Sequence, residues 1–296
     1  MTDSSIRWLG AAPEQDEPVL IVMLTGWIDA GGAAAEAMAA IREEAAAATF
    51  LAFDDDTYID FRARRPVMEL RDGINTVMQW STITMAAGHD RAGHDLVLLS
   101  GPEPDMAWHR FAAAVGDLAV DLRVRRMVAL GAYPFTTPHT RPSRLSCTTP
   151  SPDVLASVPF LRSSIDVPAG MAAVLEHALH ERGIPALGIW AQVPHYVSAM
   201  SYPPATVTLL DGLRDAADVV VDATAVRQAA IELGQRLDSM VAENAEHQRM
   251  LGQLEDLYDS LEDDLDTRQH GPSLEMRSGD ELAAELERFL RDRDQG

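Results

Sequence analysis

The chain has 296 residues, of which 47% are hydrophobic, and it carries a formal net charge of −22. It is long enough to bury a full core, as one large domain or as a domain with an appendage. The strong acidity argues against a nucleic-acid or anionic-membrane partner, because both need basic patches. All 24 basic residues are arginine, which excludes chemistry that depends on lysine, such as Schiff-base formation or a phosphate-loop lysine.

The cysteine count and the N-terminal residues bear on the compartment. Cys147 has no second cysteine to pair with, so no internal disulfide forms, which fits a reducing compartment. The segment Met1–Arg7 contains no apolar signal region, and no apolar run reaches the ~18 residues of a membrane span. We therefore expect a cytoplasmic protein.

The first predicted elements are a strand and a helix. Residues 1–18 are expected to form a loosely ordered arm. The continuous apolar run Val19–Thr25 is typical of a buried central strand. The alanine-rich stretch Gly31–Ala48 predicts a helix that Asp29 can cap.

Strands and helices then alternate through the rest of residues 19–223, which we assign to one core domain. Phe50–Phe53 predicts a strand, and Tyr58–Phe61 predicts either a short strand or part of an insertion that reaches Trp80. Further predicted strands are 95–100, 126–130 and 186–191, and further predicted helices are 105–122 (capped by Asp105), 169–182 and 205–217. This alternation predicts an α/β fold with a mostly parallel sheet and helices on both faces.

The C-terminal part of the sequence differs in character. Residues 224–266 predict one long helix or a helical pair, because leucines recur at spacings near three and four. Residues 267–296 predict an acidic linker and a short terminal helix. The acidic C-terminal region is interpreted as a solvated surface, with a partner-docking arm as the alternative.

Four loops should meet at the carboxyl edge of the parallel strands, where open α/β sheets bind ligands. They are residues 25–32, 100–105, 131–142 and 192–196. This edge is the predicted ligand or partner surface. Its candidate residues are Trp27, Asp29, Gly31, Gly32, Tyr133, His139, Arg141, His195 and Tyr196.

The first loop invites a nucleotide-binding interpretation, which its residues do not support. Gly26 and Gly31 have phosphate-loop spacing, but Gly32 stands where that motif needs lysine. Ile28 stands where a dinucleotide fingerprint needs its middle glycine. We interpret the loop as a tight strand-to-helix turn. Trp27 is then either a buried side chain that fills the core (a core plug) or a surface side chain that contacts a ligand or partner. Glycines at a helix start could still let an anion approach backbone N–H groups.

The third and fourth loops hold the polar candidates. His139 and Arg141 could bind a carboxylate or a phosphate, or they could belong to a rigid loop that shapes a protein interface, which is the interpretation we favour. His195 beside Tyr196 could act as a general base, although a hydrogen-bonded structural role is the simpler reading.

The sequence does not match other catalytic or metal-binding motifs. The sequence has no Gly-x-Ser-x-Gly elbow, and Cys147 lies in a Ser/Thr/Pro-rich stretch without a neighbouring base. His177 and His180 share a helix face beside Glu176 and Glu181, where metal ligation is possible but a solvated helix surface is the interpretation we favour. The Gly-His-Asp units of residues 88–95 lack the spacing of a zinc site. We predict no catalytic residue, no metal site and no cofactor.

Several segments resemble one family. Leu24–Ala34, Gly131–Pro142 and Val193–Val197, followed by Pro203–Leu210, resemble the proteasome assembly chaperone 2 family in its actinobacterial form. The resemblance covers roughly residues 8–226. It implies a fold like that of purine nucleoside phosphorylases and related hydrolases, without an established active site.

The resemblance also implies partners. It suggests a homo-oligomer, with a trimer as the favoured state, and 20S proteasome subunits as possible targets. Archaeal relatives end in a hydrophobic-Tyr-x docking tail, which the residues Arg291–Gly296 do not match. The function expected is therefore a non-enzymatic assembly chaperone or scaffold. The alternative is a small-molecule binding protein, or a hydrolase-like or phosphorylase-like enzyme, that uses the four-loop edge.

Overall fold

The computed structural model describes residues 5–267. Ten strands are present in this range: β1 Ile6–Trp8, β2 Val19–Thr25, β3 Ala48–Phe53, β4 Val67–Arg71, β5 Ile74–Gln79, β6 Thr84–His89, β7 Asp95–Pro102, β8 Arg126–Phe135, β9 Leu145–Thr148 and β10 Ala186–Pro194. The α-helices of the same range are α1 Ala33–Glu44, α2 Asp55–Tyr58, α3 Trp108–Asp121, α4 Pro152–Ala156, α5 Met171–His180, α6 Pro203–Ala217, α7 Thr224–Ala242 and α8 Ala245–Thr267. Short 3₁₀ turns occupy Ala30–Gly32 and His195–Val197.

Eight of the strands form one sheet in the order β1-β3-β6-β7-β2-β8-β10-β9. The four strands β7, β2, β8 and β10 at its centre are mutually parallel. Antiparallel strands flank them on both sides. The predicted α/β class with a parallel sheet core is confirmed, and the antiparallel flanks are a feature that the sequence patterns did not indicate.

Helices cover both faces of this sheet, as predicted. One buried cluster joins alternate residues of the central strands to α1, α6 and α7. The other cluster joins the intervening residues of the same strands, which face the other side of the sheet, to α3 and α5. Along β2, Leu20 and Ile21 are both fully buried and belong to different clusters, as expected for a strand covered on two sides.

Two local expectations were wrong, and a third was wrong in one of its two alternatives. Residues 6–8 do not belong to a loose arm, because they form β1 and pair antiparallel with β3. Of the two alternatives for Tyr58–Phe61, the strand is wrong, because Tyr58 ends the helical turn α2 and is fully buried; the segment instead leads into the hairpin of β4 and β5 before Trp80. Asp105 does not cap α3, because its carboxylate accepts hydrogen bonds from the Asp60 amide and the Arg64 side chain instead.

The C-terminal helical region is a pair of helices rather than one long helix. Glu243 and Asn244 separate α7 from α8, and the Asn244 Oδ1 accepts a hydrogen bond from the Glu246 amide at the start of α8. The predicted linker and terminal helix of residues 267–296 lie almost wholly outside the described residues. Within residues 5–267, no helix combines the length and the apolar character required to cross a bilayer.

Candidate functional site

The four predicted loops meet at the carboxyl edge of the central strands. The Glu103 amide donates to the Thr25 carbonyl at 2.6 Å, which joins the first loop to the second. Asp29 forms a parallel bridge with Ala132 in the third loop. Further contacts, described below, connect the first and third loops to the chain that follows β10. The topology therefore assembles one loop edge, called here the four-loop edge.

The two glycines of the first loop differ in their surroundings. Gly31 and Gly32 both adopt the left-handed conformation, with φ of 63° and 62°. A Cβ at position 31 would lie 2.7 Å from the Cβ of Tyr202, whereas nothing lies within 4 Å of a Cβ at position 32. The Gly31 N–H donates to the Ser198 carbonyl and the Gly32 N–H to the Asp29 carbonyl. Both donors are therefore already used, and neither is directed at an anion.

Asp29 caps helix α1, as predicted. Its two carboxylate oxygens accept hydrogen bonds from the Ala34 amide at 2.8 Å and the Ala35 amide at 3.0 Å. Burial raises the pKa of this carboxyl above its ordinary value, and the two amide donors oppose that effect. The side chain is thus committed to the start of α1.

An open cleft of about 450 Å³ lies beside this helix start. The carboxylates of Asp29 and Glu36 line it, together with Gly31 and the segment Ser198–Ser201. Two acidic groups make the cleft unfavourable for a phosphate or a carboxylate. An anion-binding role for this turn is therefore not supported by its electrostatics.

Trp27 is half exposed and packs with one edge of its indole against Gly170, before α5. Ile28 on the first loop, Met106 directly after the second loop and Met200 in the lining of the cleft are exposed to a similar degree. We call Trp27, Ile28, Met106 and Met200 the apolar rim of the four-loop edge. Trp27 is therefore a surface residue and not a core plug.

His139 and Tyr196 are joined by two contacts. The Tyr196 hydroxyl accepts a hydrogen bond from the His139 amide at 2.8 Å and lies 2.7 Å from the His139 Nδ1. The other ring nitrogen, Nε2, lies 3.2 Å from the Asp238 carboxylate on α7. Burial raises the pKa of Tyr196 to about 12, so the hydroxyl stays protonated. The His139 side chain, only 2% exposed, thus connects the third loop to α7.

Arg141 connects the same loop to α8. Its Nε and Nη2 donate to the two carboxylate oxygens of Asp259, both at 2.8 Å, and its Nη1 lies 3.4 Å from Glu255. The guanidinium of Arg144 stacks 3.6 Å from the ring centre of Tyr258. The Arg141 loop, defined as residues 136–144 between β8 and β9, does bind carboxylates, and they belong to this chain's own helices.

Tyr133 and His195 take no part in the hydrogen bonds to α7 and α8. The Tyr133 hydroxyl accepts a hydrogen bond from the Gln192 side chain at 3.2 Å and lies 3.3 Å from the Ser146 hydroxyl. His195 is exposed, and its ring meets that of Tyr196 edge-on. Seven of the nine candidates therefore form two groups. Trp27, Asp29, Gly31 and Gly32 lie on the first loop beside the cleft, and His139, Arg141 and Tyr196 lie at the Arg141 loop. Whether either group binds a ligand or a partner stays a prediction.

Sequence reasoning misplaced one further residue, Glu176. Its side chain is not on a solvated surface, because the residue is only 3% exposed and accepts a hydrogen bond from Thr148 at 2.8 Å. Burial raises the pKa of Glu176 to about 7. A Cβ at Gly188 would lie 2.7 Å from the Glu176 Oε1, so the carboxyl packs directly on the sheet.

In the described part of the chain, no group of three His, Cys, Asp or Glu side chains could hold a metal ion.

Fold and site together define an α/β protein whose C-terminal helical pair folds back on the loop edge of its own sheet. The chain belongs to the PAC2 family, whose model matches residues 23–241, more than half of the sequence. This match confirms the family resemblance of the loop motifs. The comparison with curated proteins gave no match.

Solved structures resemble the chain over most of its length. A Corynebacterium glutamicum protein of unknown function is 33% identical, with a TM-score of 0.81 over 87% of this chain and 98% of that one. A Mycobacterium tuberculosis proteasome-assembly chaperone homologue is 32% identical, with a TM-score of 0.73 over 79% and 99%. A PAC2 family protein from Streptomyces avermitilis is 33% identical, with a TM-score of 0.71 over 79% and 99%.

Proposed function

We propose that this protein is a non-enzymatic assembly factor, a homo-oligomeric scaffold that binds proteasome subunits. The observation that carries the proposal is membership of the PAC2 family, together with 32% identity to a relative described as a proteasome-assembly chaperone homologue. A scaffold needs shape and surface, and it needs no reactive group.

The contacts of the candidate residues support a role without catalysis. Asp29 caps α1, His139 lies between Tyr196 and α7, and Arg141 binds Asp259. These three side chains are thus engaged in holding the fold together, whereas the His195 side chain is exposed. A general base, by contrast, needs hydrogen-bond access to a substrate proton.

The apolar rim is the proposed contact surface for proteasome subunits. Trp27 is 46% exposed and Ile28 39% exposed, at the edge of a rigid sheet. Exposed aromatic and aliphatic side chains supply much of the binding energy at protein interfaces. The neighbouring cleft is acidic, so the complementary surface on a subunit would be apolar with a basic border.

The test is capture of purified proteasome α subunits by the immobilised full chain, followed by the rate of 20S assembly from α and β subunits. We expect capture by the wild type and a loss of at least tenfold in affinity with Trp27→Ala and Ile28→Ala together. The matched control is Trp8→Ala with Leu9→Ala, which removes equally exposed residues at the β1 edge of the sheet. Absence of capture with an unchanged assembly rate contradicts the proposal.

The cleft supports a second candidate, a small-molecule binding protein. Its volume of about 450 Å³ suits a small ligand, and its Asp29 and Glu36 carboxylates favour one that carries an amine or several hydroxyl groups. Thermal unfolding with polyamines, sugars and nucleosides measures this. A ligand-dependent rise in Tm that Glu36→Gln abolishes supports binding in the cleft, and unchanged Tm values throughout contradict it.

A further inference from the structure

A polar cluster lies on one face of the sheet, near the carboxyl ends of β8 and β10. Side chains alternate between the two faces along a strand. Ile189 of β10 belongs to the buried cluster that packs on α1 and α6, so Trp190 and Gln192 face the side of α5. Glu176 reaches the same face from α5. We call this cluster the Trp190 patch and define it by six side chains: Tyr133, Ser146, Thr148, Glu176, Trp190 and Gln192.

The Trp190 indole lies flat on the sheet. A Cβ at Gly131 of β8 would be 2.3 Å from its six-membered ring, and a Cβ at Gly188 would be 3.0 Å from its Nε1. Glycine in a strand interior marks a place where another group approaches the backbone closely, and here that group is the indole. The Nε1 donates to the Thr148 hydroxyl at 3.2 Å, which fixes the ring. Trp190 is partly exposed, so one aromatic face rests on the backbone and the other is open.

Two polar side chains of the patch are almost completely buried. Glu176 is 3% exposed and Gln192 4% exposed. The Glu176 Oε1 accepts a hydrogen bond from the Thr148 hydroxyl at 2.8 Å, and the Gln192 amide nitrogen donates to the Tyr133 hydroxyl at 3.2 Å. Within residues 5–267, nothing donates to the Glu176 Oε2 or to the Gln192 Oε1. Buried polar side chains normally use their hydrogen-bonding capacity within the protein, so these two oxygens are available to a bound molecule.

The patch is reached from the solvent at β9. Thr148 is exposed, and Tyr133 and Ser146 are partly exposed, with their hydroxyl oxygens 3.3 Å apart. The cleft lined by Asp29 and Glu36 lies beside α1, which covers the opposite face of the sheet. The patch and the cleft are therefore separate sites.

The chemistry of the patch fits a neutral sugar ring. The C–H groups on the face of a pyranose are weakly positive, and they are attracted to the electron-rich face of an indole. The hydroxyl groups at the edge of the ring both donate and accept, which matches the carboxyl of Glu176 and the amide of Gln192. Burial raises the pKa of Glu176 to about 7, so below neutral pH the carboxyl is protonated and does not attract a cation. An uncharged, hydroxyl-rich ligand therefore suits the patch better than a charged one.

We propose that the Trp190 patch binds a neutral sugar. One ring stacks on the outward face of Trp190, and the sugar hydroxyls form hydrogen bonds with the Glu176 Oε2 and the Gln192 Oε1. Gln192 lies four residues beyond Gly188, against which Glu176 packs. This separation is roughly 13 Å along a strand, which a mono- or disaccharide spans with its hydrogen bonds. The inference goes beyond the proposed function and does not rest on it, because the patch shares no residue with the apolar rim or with the Arg141 loop.

The test is saturation-transfer NMR of neutral sugars titrated against the purified full chain. The probes are glucose, galactose, mannose, N-acetylglucosamine, maltose and cellobiose. We expect at least one of them to bind, with an affinity that Trp190→Leu reduces about tenfold because it removes the stacking face. Gln192→Leu removes an acceptor and should reduce the affinity about fivefold. Trp80→Leu is the matched control, because Trp80 is 52% exposed and lies outside the patch.

Glu176 gives an independent comparison. Glu176→Gln keeps both an acceptor and a donor at this position, so binding should persist, whereas Glu176→Leu keeps the bulk and should lose binding. Circular dichroism verifies that each variant folds, and Gln192→Leu decides the matter if Trp190→Leu does not fold.

Each outcome decides for or against the site. Absence of saturation transfer from the wild type to every sugar overturns the proposal, and so does binding that Trp190→Leu and Gln192→Leu leave unchanged. Equal loss in the Trp80→Leu control also overturns it. Binding that Glu36→Gln alone abolishes places the sugar in the cleft and overturns it as well. None of these results bears on the capture of α subunits, which tests the proposed function separately.

Discussion

The side chains of Arg141 and Asp259 meet in a fork, although the two residues are 118 positions apart in the sequence. The Nε–Oδ1 and Nη2–Oδ2 distances are both 2.8 Å. Two parallel hydrogen bonds fix the orientation of both groups, which a lysine could not do. The hydrogen bond from Arg141 holds the pKa of Asp259 below its ordinary value. This fork sets the position of α8 on the Arg141 loop.

The first prediction concerns the docking of α8. We expect Asp259→Asn to weaken the fork and to increase amide hydrogen exchange across residues 245–261, while exchange in the sheet stays unchanged. Asp256→Asn is the control, because Asp256 is exposed on the same helix. Equal exchange in both variants would show that the fork contributes nothing to docking.

The stabilisation that the fork provides also depends on pH. Because the pKa of Asp259 is lowered, this stabilisation is present above the ordinary carboxyl pKa and is lost as pH falls through the lowered value.

The second prediction separates the two glycines of the first loop. Gly32→Ala places a Cβ in open space and costs only left-handed strain, about 1 kcal/mol. Gly31→Ala adds a clash with Tyr202 and should cost about 3 kcal/mol or more in total. Urea unfolding of both variants measures the difference. Equal losses of unfolding free energy would contradict the tight-turn interpretation.

The third prediction is a pH dependence of stability caused by Glu176. Its folded-state pKa of about 7 lies above the ordinary value of 4.5, so the folded protein keeps a proton that the unfolded chain has released between these values. The free energy of unfolding should therefore fall as pH rises through this window, by at most about 3 kcal/mol.

Glu176→Gln tests this prediction, because an amide can still accept the Thr148 hydrogen bond and does not ionise. We expect the variant to match the wild type near pH 4.5 and to be the more stable of the two at pH 8. Glu181→Gln, an exposed residue at the end of the same helix, is the control. Parallel stability curves for wild type and Glu176→Gln would refute the assignment.

The fourth prediction concerns the cap of α1. Asp29→Ala removes both acceptors for the Ala34 and Ala35 amides and should cost about 1–2 kcal/mol. Asp29→Asn keeps one acceptor oxygen and should cost less. Chemical denaturation of the two variants decides the order, and an Asn variant as unstable as the Ala variant would argue against capping.

Elements with a strong local pattern were predictable. The apolar run Val19–Thr25 is β2 with the predicted bounds, and Asp29 caps α1 because its residue type and position suit a helix start. A strand was one of two alternatives for Tyr58–Phe61, because aromatic and β-branched residues favour strands. The packing of Tyr58 against Phe53 and Phe111 overrides that propensity.

The hairpin was missed despite a local signal. Asp72-Gly73 is a strong hairpin turn sequence, and it lies between two stretches with apolar residues. The bulge in β5 interrupts the alternation, so a simple period of two does not reveal the strand.

The partners of the candidate site could not be read from the sequence. Arg141 has Asp259 as its partner, and the acidic stretch around Asp259 offers many carboxylates of equal chemistry. Which one faces the loop depends on how α7 turns back, and that is set by the break at Glu243 and Asn244. The positions of the loops follow from the sheet topology. The helix side chains that pair with the loop residues are determined by long-range packing.

That break also determines how strongly outside molecules must compete for the Arg141 loop. Because only Glu243 and Asn244 join α7 to α8, the acidic face of α8 stays within reach of the loop even when its ion pairs open. A tether this short holds its ligand at an effective concentration on the order of millimolar. An acidic helix from another protein would have to reach that concentration or bind more tightly than α8 does. The loop is therefore closed to weak, freely diffusing partners and accessible to a partner that also captures α8.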